Sequence, residues 1–166
     1  MPRAQGDVSV TLSVLDRLID TQPKSTSEAP FTRAQSVRHL KNSVRRDLEW
    51  LLNTRRIAVE PDESLKEIQR SLYVYGLPDF TSYSLASPKD HAKLLRHLQA
   101  VIKHFEPRLA NVQVVPLEES ARRERALRLR IEGLLMMDPA PEHVTFDTVI
   151  DLATGAYRVK GDADAG

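Results

Sequence analysis

"RALRLRIEGLLMM", Arg125 to Met137, sets Leu127, Leu129, Ile131 and Gly133 against Arg128, Arg130 and Glu132 before it turns apolar on both sides. A period of two sends successive side chains to opposite faces of an extended chain, so this is a strand with one face in a core. Arg128 and Arg130 then lie on the outer face. The basic run "RRERALRLR", Arg122 to Arg130, is accordingly read as solvated or protein-facing arginine rather than as a phosphate-binding patch.

The same period continues outward in both directions. Downstream, "HVTFDTVIDL" alternates Val144, Phe146, Thr148 and Ile150 against Thr145, Asp147, Val149 and Asp151, and "ATG" leads to a last strand, "AYRV". Upstream, "NVQVVPL" is a further short strand. Sequential strands with short connections predict an antiparallel sheet. The last two form a terminal hairpin whose outer strand, at Tyr157 and Val159, is expected to be unpaired in the free protein and open to strand addition.

Before the strands the period is that of a helix. Val37, Leu40, Val44, Leu48, Leu51 and Leu52 recur at intervals of three and four, which predicts a helix from an N-cap at Ser36 to about Asn53. Arg38, Lys41 and Arg45 share another face, either a solvated basic flank or a strip that faces a partner. Ser87-Pro88-Lys89-Asp90 starts a second helix, with Ser at the N-cap, Pro at the first helical position and a carboxylate in the first turn. Leu95, Leu98, Ile102 and Phe105 form its main stripe, and Pro107 stops it.

Between the two helices, residues 58–80 read as a loop, a short helix or 3₁₀ turn, and a turn at Gly76 and Pro78. Tyr73, Tyr75, Phe80 and Tyr83 fall together there as local core beneath a loop. Val8 to Asp20 is a short helix expected to dock through its leucines on a partner or on the domain, and "TQPKSTSEAP" after it is a linker.

The expected organisation is therefore a short N-terminal helix and linker over residues 1–30, a domain over 31–160, and a flexible tail over 161–166. The expected fold is α+β, with two main helices and the short N-terminal helix packed on a small, mainly antiparallel sheet formed by the C-terminal half.

Composition narrows the chemistry. The 166 residues contain no cysteine, which removes a disulfide framework, a thiolate metal site and a cysteine nucleophile together. The five histidines form no HExxH pattern, and His97 and His104 lie two helical turns apart, so neither a metal nor a cofactor is expected. A net charge of +1 and a pI of about 8.1 fit no dedicated nucleic-acid binder. No apolar run approaches the roughly 18–20 residues of a membrane span, and the N-terminus lacks the apolar core of a signal peptide. A cytoplasmic protein without membrane insertion is expected.

"AVIKHFEPRL", Ala100 to Leu109, places a glutamate at the C-terminal end of the second helix, facing the negative pole of its macrodipole. At an exposed site that costs about 0.3–1 kcal/mol. Pro107 stiffens the corner, so the charges of Glu106 and Arg108 are presented at a fixed point, and we expect another chain to complete them. The alternative is a Glu106 that pairs within the monomer and an Arg108 that caps helix carbonyls. Glu106 makes a poor catalytic acid, because an arginine two residues away would lower its pKa. There is also no GxSxG, P-loop or GxGxxG after a strand.

Five blocks carry a resemblance: "DRLID" (Asp16 to Asp20), "SVRRDLEWLLNTRR" (Ser43 to Arg56), "YGLPDF" (Tyr75 to Phe80), "IKHFEPRL" (Ile102 to Leu109) and "FDTVIDLATGAYRV" (Phe146 to Val159). In this order they resemble TssE, the baseplate subunit of type VI secretion systems. TssE is a branch of the contractile-phage baseplate wedge family sometimes called lysozyme-like. The resemblance implies a small α+β domain and a structural, non-enzymatic role, assembled at the cytoplasmic side of the inner membrane. It implies wedge partners of the TssF, TssG and TssK type and a sheath of the TssB and TssC type. The family's Glu-Pro-Arg motif maps onto Glu106, Pro107 and Arg108, where the resemblance implies contact with the wedge core. The edge at Tyr157 and Val159 would then face the sheath. A peptidoglycan hydrolase of the lysozyme type and a nucleic-acid-binding module are the weaker alternatives: the first lacks a convincing carboxylate pair and the second lacks basic excess.

Overall fold

The switch from a helical to a strand period divides the molecule into two layers. A computed structural model describes residues 10–19, 31–62, 64–80, 87–117, 126–151 and 154–161. Three helices, α1 (Val14–Leu18), α2 (Arg33–Asn53) and α3 (Pro88–Phe105), precede four strands, β1 (Leu109–Pro116), β2 (Ala126–Leu135), β3 (Glu142–Asp151) and β4 (Tyr157–Gly161). The strands pair antiparallel in the order β1-β2-β3-β4, so the fold is α+β as expected. The linker at 21–30, the run 118–125 that opens the basic stretch, Tyr83 and the tail from 162 lie outside the described residues.

The alternation in β2 does what its sequence dictates. Leu127, Leu129, Ile131, Gly133 and Leu135 point inward, and Arg130 pairs with Asp147 across the open face at 2.8 Å. On the inner face α2 lies against β4 and α3 against β1. The core closes around Leu48 and Leu52 of α2, Leu98 and Ile102 of α3, and Phe146 and Val159 of the sheet. A register shift between Ala110 and Gln113, with Asn111 at φ 53°, bends β1 where it leaves the corner after α3.

The start of α2 differs from the expectation. Thr32, not Ser36, is the N-cap: its hydroxyl accepts from the Gln35 N–H, and the Gln35 side chain accepts from the Thr32 N–H. That reciprocal capping box outweighs the single serine signal four residues on. Ser36 is buried in the first turn, where its hydroxyl donates to the Arg33 carbonyl and accepts from the Val10 N–H. α3 starts as expected, with Ser87 accepting from the Asp90 N–H and Pro88 opening the helix. Ile68–Arg70 and Leu72–Val74 form two 3₁₀ turns, and Tyr75 packs edge-on against Phe105 at 5.1 Å between centroids, while Tyr73 is exposed.

Candidate functional site

The corner between α3 and β1 is built by three consecutive residues. Glu106 caps α3, giving its N–H to the Ile102 carbonyl at 2.8 Å, and its own carbonyl accepts the Leu109 N–H. Pro107 fixes the bend and stays exposed. Arg108 turns back: its Nε donates to Glu106 Oε1 at 2.6 Å, its Nη2 to Glu106 Oε2, and its backbone N–H to Oε1 at 3.3 Å. This is the side-on bidentate geometry that a planar guanidinium makes with a carboxylate. The carbonyl of Arg108 accepts from the Met136 N–H, which ties the corner to the end of β2.

Within the single chain the two charges therefore pair with each other, the intramonomer alternative. Glu106 is 4% exposed and satisfied inside the monomer, which removes the macrodipole penalty without a partner. Hydrogen bonding to Glu106 comes first among the causes that hold the Arg108 pKa above its usual value, and Asp47 adds to it. A quarter of the Arg108 side chain remains open to solvent.

Asp47 of α2 extends the corner into a chain of charges. Arg108 Nη2 donates to Asp47 Oδ2 at 2.7 Å, Arg46 Nε donates to Asp47 Oδ1 at 3.0 Å, and Arg46 Nη1 lies 2.9 Å from Asp16 Oδ1 on α1. Arg46 also stands 5.1 Å over the ring of Trp50. Burial pushes the Asp16 carboxyl up, but hydrogen bonds from Ser13, Ser43 and Arg46, with the Arg46 charge, outweigh it and hold its pKa below the usual value. Tyr75 sits beside this chain, its hydroxyl pKa raised by burial and by the charges of Asp47 and Glu106.

α1 is held by this carboxylate and not by its leucines. Asp16 keeps only 8% of its side chain in solvent, whereas Val14 is 71% and Leu18 77% exposed, with Leu15 and Ile19 also in solvent. The leucines of α1 therefore do not dock on the domain within this chain. Val10 and Leu12, ahead of the helix, supply the apolar contact.

At the other end of α2 the last strand is an edge of the sheet, as expected, and side chains rather than a further strand occupy its outward groups. The Tyr157 N–H donates to Asn53 Oδ1 at 2.9 Å and the Tyr157 carbonyl accepts from Asn53 Nδ2 at 2.8 Å. The Val159 carbonyl accepts from Arg45 Nη1 at 3.3 Å, and the Gly155 carbonyl from Arg55 Nη2 at 2.9 Å. Gly155 has φ +67°, a left-handed conformation that favours glycine, and a Cβ there would stand 2.6 Å from Arg55 Nη2 and displace it. The side chains of Tyr157 and Val159 are buried, and burial pushes the Tyr157 hydroxyl up to about 12 against the opposing Arg55 charge. Neither Arg45 nor Lys41 is a solvated flank, since Lys41 pairs with Glu142 of β3 at 2.7 Å.

A family model described as baseplate wedge protein gp25 matches residues 38–140, more than half of the chain. The chain belongs to the gp25 baseplate wedge family. With the family comes a structural role in a phage-like baseplate among other baseplate or tail proteins. The span that matches the gp25 model contains Asp47 and the whole Glu106–Arg108 corner, and it leaves α1, β3 and β4 outside. No curated protein and no solved structure matches the chain. Among the described residues, no helix is long and apolar enough to cross a membrane.

Asp47, Arg46 and Asp16, together with Asn53 and Arg55, are the residues that sequence reasoning missed. The available signal was position: Asp47 borders the buried stripe, three residues after Val44 and next to Leu48. A charge at that boundary reaches across to whatever packs on the helix.

Proposed function

We propose that this gp25-family chain is the TssE-type subunit of a type VI secretion baseplate, joining wedge subunits of the TssF, TssG and TssK type to a contractile sheath of the TssB and TssC type. The five sequence blocks that resemble TssE support the subfamily, three of them wholly inside the matched span. In this reading the role is mechanical and non-enzymatic, and the assembly forms at the cytoplasmic side of the inner membrane. Residues 31–160 are the wedge domain, 1–30 an accessory N-terminal segment and 161–166 a tail.

The observation that carries the reading is the corner. An internal bidentate pair with buried Glu106 holds Arg108 in place, so Pro107 and the open part of Arg108 form a rigid polar knuckle for a wedge subunit. Glu106 is the positioning residue. The β4 edge at Tyr157 and Val159 is the sheath side. Co-expression with tagged TssF and TssG homologues tests the assignment: the full chain is expected to copurify with both. Recovery with tail-tube or wedge proteins of a phage-like particle, and with neither TssF nor TssG, would overturn the type VI reading while leaving the family in place.

A further inference from the structure

We infer that α2 masks the β4 edge with a surrogate strand made of side chains, and that the edge admits an acidic extended segment of a sheath subunit only by displacing it. This rests on the sheath-facing reading of β4 and adds its regulation and its chemistry.

The carbonyls of Gly155, Tyr157 and Val159 point away from β3 at intervals of two residues, as the outward acceptors of an antiparallel edge do. Each is taken by a side chain from the C-terminal half of α2 or the residues just after it, Arg55, Asn53 and Arg45 in turn. Asn53 goes further. Its amide oxygen accepts and its amide nitrogen donates to one residue, Tyr157, and so stands where the peptide groups of a fifth strand would stand. An edge blunted in this way does not pair with arbitrary strands. Asn53 and Arg55 are nevertheless exposed, so they can leave without opening the core.

Exchange is close to balanced in hydrogen bonds, because an entering strand returns to Tyr157 one acceptor and one donor for those it loses. Selectivity then comes from charge. Arg158 and Lys160 are exposed on the open face of β4, and displaced Arg45 and Arg55 remain tethered along the same edge. Four cations beside one strand call for carboxylates on the incoming segment, and they disfavour pairing of β4 with a second copy of itself, which would set like charges together.

The test uses the full chain with a soluble sheath heterodimer of the TssB/TssC type from the same system, titrated by calorimetry, and amide hydrogen exchange in the free and bound protein. Asn53→Ala unmasks Tyr157, and binding is expected to tighten about fivefold, the equivalent of about 1 kcal/mol. Asn53→Ser, too short to satisfy both groups, carries the same test if the alanine variant does not fold. The Tyr157 and Val159 amides are expected to gain protection in every complex, and affinity is expected to fall tenfold or more between 0.1 and 0.5 M salt. Wild-type affinity in both variants, with Tyr157 protected in the complex, overturns the mask and keeps the strand addition. A bound sheath that leaves the Tyr157 and Val159 amides unprotected, or that protects β1 instead, overturns both. An affinity indifferent to salt overturns the acidic partner.

Discussion

The α3–β1 corner and helix α1 both depart from the usual placement of side chains, in opposite directions. At the corner a carboxylate is almost fully buried, and along α1 and its C-cap Ile19 four large apolar side chains stand in solvent. The same charges connect them: Glu106, Arg108, Asp47, Arg46 and Asp16 follow one another in contact across α3, α2 and α1. A five-residue helix has little stability of its own in water, so α1 owes its position to the Ser13 cap, the Asp16 pair and the apolar residues before it. A buried ion pair helps a fold only when both partners are satisfied, and the corner meets that condition within one chain. The difference teaches that charge fixes the ends of this molecule while apolar burial fixes its middle.

The largest effect is expected at the corner. Arg108→Ala leaves Glu106 buried without its donors. Breaking a buried pair costs about 3–5 kcal/mol, and the solvent-exposed quarter of Arg108 discounts this to roughly 2–3 kcal/mol. Urea denaturation of the purified variant measures it, and Arg108→Lys should recover only part, since an ammonium cannot span both carboxylate oxygens. A loss below about 0.5 kcal/mol, the size typical of a surface change, would show that the corner is not closed by the monomer and would end the contrast with α1.

A smaller effect is expected where the charges reach α1. Asp16→Asn weakens the pair with Arg46, and since Arg46 retains Asp47 the cost is about 1 kcal/mol. Asp16 has a lower pKa folded than unfolded, so its contribution is complete above the unfolded value and is lost as pH falls through the folded one. Stability measured from pH 7 down to pH 5 should therefore move in parallel for wild type and variant. Below about pH 4, the ordinary carboxylate range, the gap between them should close. A gap that stayed constant to pH 2 would mean that Asp16 is not the ionised anchor of α1.

Why the sheet and α3 were legible in the sequence, and these charges were not, follows from range. The strand alternation and the Ser87-Pro88-Asp90 start are local, because neighbours in sequence share one period or one turn. Glu106-Pro107-Arg108 was legible as an unusual turn for the same reason. The third member of its network, Asp47, lies 61 residues from Arg108, and Asn53 lies 104 residues from Tyr157. Nothing within a helical turn separates Asp47 from a solvated carboxylate. The start of α2 was missed although it was local, because Thr32 and Gln35 precede the apolar stripe that drew the boundary to Ser36.

The smallest effect is expected on the exposed side of α1, where the comparison is sharpened most. Leu18 is 77% exposed, so Leu18→Ser removes almost no buried surface, and the change in unfolding free energy should stay within about 0.5 kcal/mol. Val14→Ser, at 71% exposure, should behave alike, and the double variant should add the two within the same small range, since neither side chain reaches the core. These variants retain Asp16 and its pair with Arg46, so amide exchange in α1 should match wild type, whereas Asp16→Asn should speed it. If Leu18→Ser instead cost as much as Asp16→Asn, the leucine face would be packed against the domain in solution. α1 would then be an ordinary amphipathic helix, and the division between a charge-fixed end and an apolar middle would fall.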